Sequence, residues 1–149
     1  MEVHGSLEWL QCRDACGAGL YSSAGVEVEI DPATFRAREP LPRCPACGGL
    51  ARPNVLMFGD WDWDDSRTSQ QSRRLEAWLA GAAAGRLVLV ECGAGRAVPT
   101  VRETCEDLAG RFDASLIRIN VREPDVPDGH VGLALPALEA LRELDRRLP

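Results

Sequence analysis

Six cysteines punctuate the chain, and four of them fall in two close pairs, Cys12 with Cys16 and Cys44 with Cys47. Two short turns that each offer two thiolates satisfy a tetrahedral zinc ion, and both spacings lie within the usual ligand range. A closed shell of four thiolates leaves no position for water, so such a metal is structural. Glycines follow both pairs, and "PLPRCPACGG" adds prolines as turn chemistry around the second. The leftover Cys92 and Cys105 read as small core hydrophobes, with a partly exposed thiol open for Cys92 because a glycine turn follows it.

Three further stretches carry chemistry-bearing residues. In "ECGAGRAVPT" a strand ends, Gly93 and Gly95 let the backbone approach a ligand, and Pro99 starts a helix. That places amide donors at the carboxyl end of a strand, a seat for phosphate or ribose, although a plain tight turn reads equally well from the residues alone. His4 precedes Gly5 almost at the start of the chain; a lone histidine is more often structural than catalytic. His130, in a Pro/Asp/Gly loop, reads as solvent-exposed. "DWDWDD" reads as a solvated surface loop with two aromatics rather than a carboxylate site.

The elements that must position these residues follow from periodicity. Residues 12–47 are irregular and rich in Gly, Pro and Ser, as expected of a small module held by its ligands. Within it "VEVEID" (26–31) alternates apolar and charged residues and predicts an exposed strand. "NVLMF" (54–58) predicts a buried strand. A helix is predicted over 68–84, with Leu75, Trp78, Leu79 and Ala82 on one stripe. "RLVLVE" (86–91) predicts a central parallel strand buried on both faces. Val101, Cys105 and Leu108 then mark a helix, 115–120 a strand, 121–130 a loop, and 136–148 a last helix with Leu138, Leu141, Leu144 and Leu148 inward. Alternating strands and helices predict an α/β fold, half of a doubly wound parallel sheet with a small module inserted before it.

Composition bounds the function. Apolar residues make up 45% of the 149 and charged residues 27%, a globular balance. The net charge of −6 argues against a nucleic-acid partner. All 17 basic residues are arginine, which excludes a lysine nucleophile or Schiff base within the chain. No apolar run approaches the roughly 20 residues of a membrane helix. No secretory pattern opens the sequence, so the expectation is a cytoplasmic protein whose cysteine pairs bind metal.

Taken in order, "VHGSLEWLQC", the cysteine pairs, "CGGLARPNVLMFGD", the "GAG" turn and "IRIN" resemble the sirtuins, NAD-dependent protein deacylases. The resemblance covers about the second half of the family's catalytic core. It implies a partial Rossmann-like NAD-binding domain (1–5 and 54–149) with a zinc-binding module (6–53). His4 matches the general base, which takes a proton from a ribose hydroxyl of NAD. Cys12, Cys16, Cys44 and Cys47 match the zinc ligands. Val55, Phe58 and Gly59 match the segment that pairs with an acyl-lysine peptide as an added strand. Asp60 stands at the motif's acidic position. Gly93, Ala94 and Gly95 match the turn against the NAD ribose and phosphates. The family has hydroxyl residues after that first glycine, so here only backbone donors remain. Asn120 matches the residue that contacts the adenosine ribose.

The family's glycine-rich NAD loop and Asn/Asp pair have no counterpart in this sequence. The resemblance therefore implies a C-terminal portion, with Met1 an internal start or truncation point. It further implies a sheet with an uncovered edge and an exposed apolar face, completed by a missing or separately encoded N-terminal half. The expected activity is NAD-dependent protein lysine deacylation (deacetylation). The alternative is a non-catalytic, zinc-stabilised peptide-binding module.

Overall fold

A computed structural model describes residues 1–82 and 84–148. Two compact units divide the chain, Met1–Glu76 and Ala77–Pro149.

The first unit is built on an antiparallel sheet of β1 (Gly5–Cys12), β2 (Tyr21–Ser22) and β3 (Ala51–Val55), in the order β2-β1-β3. The predicted strand at 54–58 thus lies earlier, at Ala51–Val55. Its pairing with β1 ends at Gly5↔Val55, after which Asp60 N donates to Met57 O and the chain turns. Pro53 lacks an amide donor and is tolerated because β3 is an edge strand. Strand β1 itself was not anticipated in "GSLEWLQC". Residues 26–31 form no strand; an isolated bridge joins Ile30 to Ala37, and Val26, Val28 and Ile30 are exposed. Alternation marks a segment able to form a strand, but a strand also needs a partner to accept its hydrogen bonds.

Helix α1 (Ser66–Ala82) begins two residues before its predicted start. The aspartates of the tryptophan loop cap it: Ser66 N donates to Asp64 Oδ1 at 3.0 Å and Ser69 Oγ to Asp65 Oδ2 at 2.9 Å. Ala83, within the predicted helix, lies outside the described residues, as does Pro149. Of the predicted stripe Leu79 is buried, whereas Trp78 is exposed.

The second unit carries a parallel sheet in the order β4-β5-β6, from β4 (Val88–Cys92), β5 (Ser115–Ile119) and β6 (Val131–Leu133), with α2 (Thr100–Arg111) and α3 (Ala137–Asp145). Strand β5 is central and buries Leu116, Arg118 and Ile119. The expectation of a doubly buried β4 is corrected: β4 is an edge, with Val88 53% and Val90 49% exposed. That is the uncovered apolar edge the family resemblance implies. The short β6 falls just beyond the predicted loop.

Helix burial also departs from the apolar stripes. α2 buries Arg102 and Ala109 while Val101 is exposed. α3 buries Ala140, whereas Leu138, Leu141 and Leu148 are exposed and Leu144 is half-buried. An apolar stripe records which face can be buried, not whether an element is present to cover it.

Candidate functional site

The four paired cysteines converge. Their sulfurs all lie within 4.8 Å of one another. Cys12 and Cys47 approach to 3.6 Å, as do Cys16 and Cys44, so the contacts run between the pairs and lock two distant turns together. A tetrahedral zinc with bonds of about 2.3 Å spaces its sulfurs about 3.8 Å apart, which these distances match. Backbone shapes the second turn: Cys44 N donates to Gly49 O at 2.7 Å, Gly48 N to Cys44 O at 2.9 Å, and Gly49 N to the Cys47 sulfur at 3.4 Å.

Four crowded thiols cannot all ionise unaided. The amides of Cys47 and Ala46 hold Cys44 down at about 7. The amides of Cys16 and Asp14 likewise lower Cys12. Cys16 moves the other way: the Ala18 amide lowers it, but the sulfurs of Cys47, Cys12 and Cys44 together push it up to about 12. A divalent cation removes that conflict by stabilising every thiolate at once. Among the described residues the buried Tyr21 hydroxyl has no hydrogen-bond partner; burial, then the charges of Cys44 and Cys12, raises its pKa. A metal-bound thiolate is an acceptor suited to it. The donor set therefore fits zinc, held by Cys12, Cys16, Cys44 and Cys47.

His4 is half-buried in a turn that β3 and α1 hold in place. Leu56 N donates to His4 O at 3.0 Å, Gly5 N to Glu2 O at 3.1 Å, and Thr68 Oγ1 to the same Glu2 carbonyl at 3.0 Å. Gly5 has φ +80°, and a Cβ there would lie 1.9 Å from Asn54 O, so only glycine lets β1 and β3 approach beside the histidine. The segment expected to take the peptide follows directly. Val55 closes β3, beyond which no further strand pairs among the described residues, although Ala51 N at its start donates to Pro42 O at 3.0 Å. Phe58 is 95% exposed, and Gly59 sits in the turn that follows. Asp60 closes that turn with a bidentate pair to Arg52 on β3, at 2.7 and 2.9 Å, and the guanidinium holds its carboxyl below the usual carboxylate range.

In the second unit Gly93, Ala94, Gly95 and Asn120 come together. Gly93 N donates to Ile119 O at 2.9 Å and Asn120 Nδ2 to Ala94 O at 3.1 Å. Gly93, Gly95, Asn120 and Glu123 line a cavity of about 300 Å³. Asn120 Oδ1 accepts from Arg122 N and Glu123 N, both at 3.0 Å, so this side chain fastens one loop to the other. Two expectations need correction. His130 is half-buried, and its Nδ1 accepts from Leu116 N at 3.3 Å. Cys92 is exposed rather than a core residue, while Cys105 is half-buried.

Two networks escaped the sequence reading. Gln11 and Asn54, both buried, bond to each other at 2.9 Å, and Gln11 Nε2 donates to Asp62 O at 2.7 Å. Asn54 Nδ2 also reaches Asp64 O at 2.9 Å. "DWDWDD" is thus fixed from beneath, with Trp61 at its surface. In the second unit Arg118 forms a fully buried bidentate pair with Glu91, at 2.6 and 2.8 Å, and also contacts Glu106. Arg102 donates to the carbonyls of Glu123 and Asp125 at 3.1 and 2.6 Å. The signal was a single Glu and a single Arg inside apolar strands, residues that are almost never fully buried unless paired.

Comparison with known proteins gives these sites a context. No family model matches the sequence. Over 149 residues the chain is 34% identical to NAD-dependent protein deacylase 1 of Pseudomonas aeruginosa, covering 99% of this chain and 54% of that protein. It is 35% identical over 60 residues to the NAD-dependent protein deacylase of Pyrococcus furiosus, covering 40% of this chain and 22% of that protein. A solved Sir2 homologue in complex with ADP-ribose shares the fold, with a TM-score of 0.60 over 97% of this chain and 50% of its own, at 23% identity. The chain spans about half the length of the relatives it matches end to end.

Proposed function

We propose that this chain, which belongs to the sirtuin family and matches about half the length of its relatives, acts in NAD-dependent removal of acyl groups from protein lysines. The observation that carries this reading is local: the backbone of His4 is hydrogen-bonded to Leu56, at the end of the strand expected to receive the peptide. A base and the substrate's backbone are thereby held in one frame. Bound NAD supplies the electrophilic ribose carbon and the ribose hydroxyls. His4 would take the proton from one hydroxyl. Residues 55–59 would hold the acyl-lysine segment by backbone hydrogen bonds along the open edge of β3, which tolerates varied sequences. The zinc would keep the two cysteine turns closed and take no part in the reaction. The turn at Gly93, Ala94 and Gly95, with Asn120, would hold the adenosine side of NAD.

The exposed β4 edge supports a further segment covering it, in the same chain or as a separately encoded half. None of the described helices is long and apolar enough to cross a membrane. The open edge of β3 and the exposed Phe58 also support a second reading, peptide binding without turnover. One experiment separates them. In a form that also carries the other half of the family's core, NAD consumption with an acyl-lysine peptide should be abolished by His4→Ala, with zinc retained. Turnover that survives the substitution removes His4 from the mechanism; peptide binding with no turnover in the unsubstituted protein favours the second reading.

A further inference from the structure

We propose that the cavity lined by the first cysteine turn and the tryptophan loop takes a basic side chain, an arginine or a lysine, that the acylated protein carries close in sequence to its acyl-lysine. This rests on the reading of residues 55–59 as the segment that holds the peptide. Residues 15–19 and 61–64 line one cavity of about 310 Å³ in the first unit. That is the low end of ligand cavities and suits one long side chain rather than a dinucleotide. The stretch 15–19 holds no side chain larger than that of Cys16. A Cβ at Gly17 or Gly19 would meet no described atom within 4 Å, so the space stays open from there.

The tryptophan loop supplies the recognising groups. Trp61 is 95% exposed, and Trp63 lines the cavity with it. Three of the loop's acids are engaged elsewhere: Asp60 with Arg52, Asp64 with Ser66 N and Asp65 with Ser69 Oγ. That leaves the exposed Asp62 as the loop carboxylate without a partner among the described residues. An indole face beside a carboxylate attracts a cation through both the ring quadrupole and the charge. An anionic guest would meet Asp62 and Asp64, and an apolar one would strip water from a carboxylate without replacing its hydrogen bonds. The net charge of −6 favours the same class of partner. The chain makes such a contact within itself, where Arg67 stacks 5.1 Å from the Trp9 ring centre.

The site is pre-formed. The carbonyls of Asp62 and Asp64 accept from the buried Gln11 and Asn54, so the loop needs little ordering when a ligand arrives. It is also within reach of the peptide. Trp61 lies three positions beyond Phe58, so their Cα atoms are at most about 11 Å apart. A peptide extended along 55–59 thus brings a residue about three or four positions from its lysine over the cavity.

The test is an NMR titration of the purified, zinc-loaded chain with acetyl-lysine peptides. Each carries one arginine, scanned over about five positions on either side of the lysine, and each has a twin with citrulline, the uncharged isostere. At one or two positions on one side, the indole N–H signals of Trp61 and Trp63 should shift with arginine and stay with citrulline. Those of Trp9 and Trp78 should stay throughout, while the amides of 55–59 report the peptide itself. At the best position arginine should tighten binding about tenfold over citrulline, the scale of a hydrogen bond to a charged group. Asp62→Asn should remove most of that ratio, and Trp61→Ala should lower it about threefold. Both side chains are exposed, and zinc content with the thermal midpoint confirms that both variants fold. An arginine preference equal at every position, or unchanged in Asp62→Asn, is attraction by net charge and overturns this inference. Shifts at 55–59 with none at the two indoles overturn it too and leave the peptide reading standing. Indole shifts with none at 55–59, or no binding of any peptide, overturn both.

Discussion

In Met1–Glu76 the buried positions are Leu10, Cys12 and Cys44 of the cysteine cluster, and the amide pair of Gln11 and Asn54, whereas in Ala77–Pro149 Leu79, Ala109, Ala114, Leu116, Ile119 and Ala140 are buried along with Arg102 and the Glu91–Arg118 pair. The first unit therefore closes on ligand atoms and a polar network, with little apolar burial of its own. Small units of that kind need a metal or cross-links to fold. The second closes on a sheet, and holds its strand ends with charge. The difference teaches where each unit is fragile: one depends on an ion that can be removed, the other on a buried side-chain pair that no ion replaces.

Zinc removal should be the largest effect. Chelation, or Cys44→Ser, should unfold the first unit, since structural zinc contributes on the order of 10 kcal/mol to such folds. Hydrogen exchange should show β1 and β3 losing protection while β4 and β5 keep theirs, and metal analysis should give about one zinc per native chain. Equal loss in both sets of strands would break the contrast. Glu91→Gln comes next. It removes the fully buried partner of Arg118 and leaves only the half-buried Glu106 as its anion, so the cost should lie toward or below the low end of the about 3–5 kcal/mol of a broken buried pair. Urea unfolding should report the loss in the second unit with zinc content unchanged.

The smallest effect is that of the Asp60–Arg52 pair. Asp60 ionises more readily folded than unfolded, so the unfolded chain binds more protons as the pH falls. Its contribution is present above the unfolded carboxylate value and is lost as pH drops through the lower folded one. The stability difference between wild type and Asp60→Asn should accordingly narrow only below about pH 4. A difference independent of pH would mean that the pair contributes through shape rather than charge.

Much of this was legible in the residues. Two cysteine pairs in turn-forming sequence need no tertiary information to suggest one metal, because local spacing fixes how each pair presents its sulfurs. The strands β4 and β5 and their helices were legible from periodicity. What periodicity misjudged was burial. Leu138 and Leu141 of α3 and the valines of β4 have the right spacing for a core, yet they are exposed. The strand at 26–31 had alternation without a partner. Glu91 and Arg118 became a pair only through the parallel register that sets them side by side.

The sequence by itself determined the paired thiols, the glycines and the order of the elements, because cysteine spacing, backbone permissiveness and residue periodicity are local properties. Only the tertiary structure decided which surfaces are covered, which strand receives the histidine turn, and that a carboxylate from one loop occupies an amide of another. Those outcomes depend on contacts between residues far apart in the chain. Arg96 and Glu123 are separated by 27 positions, and no pattern within either segment announces the other.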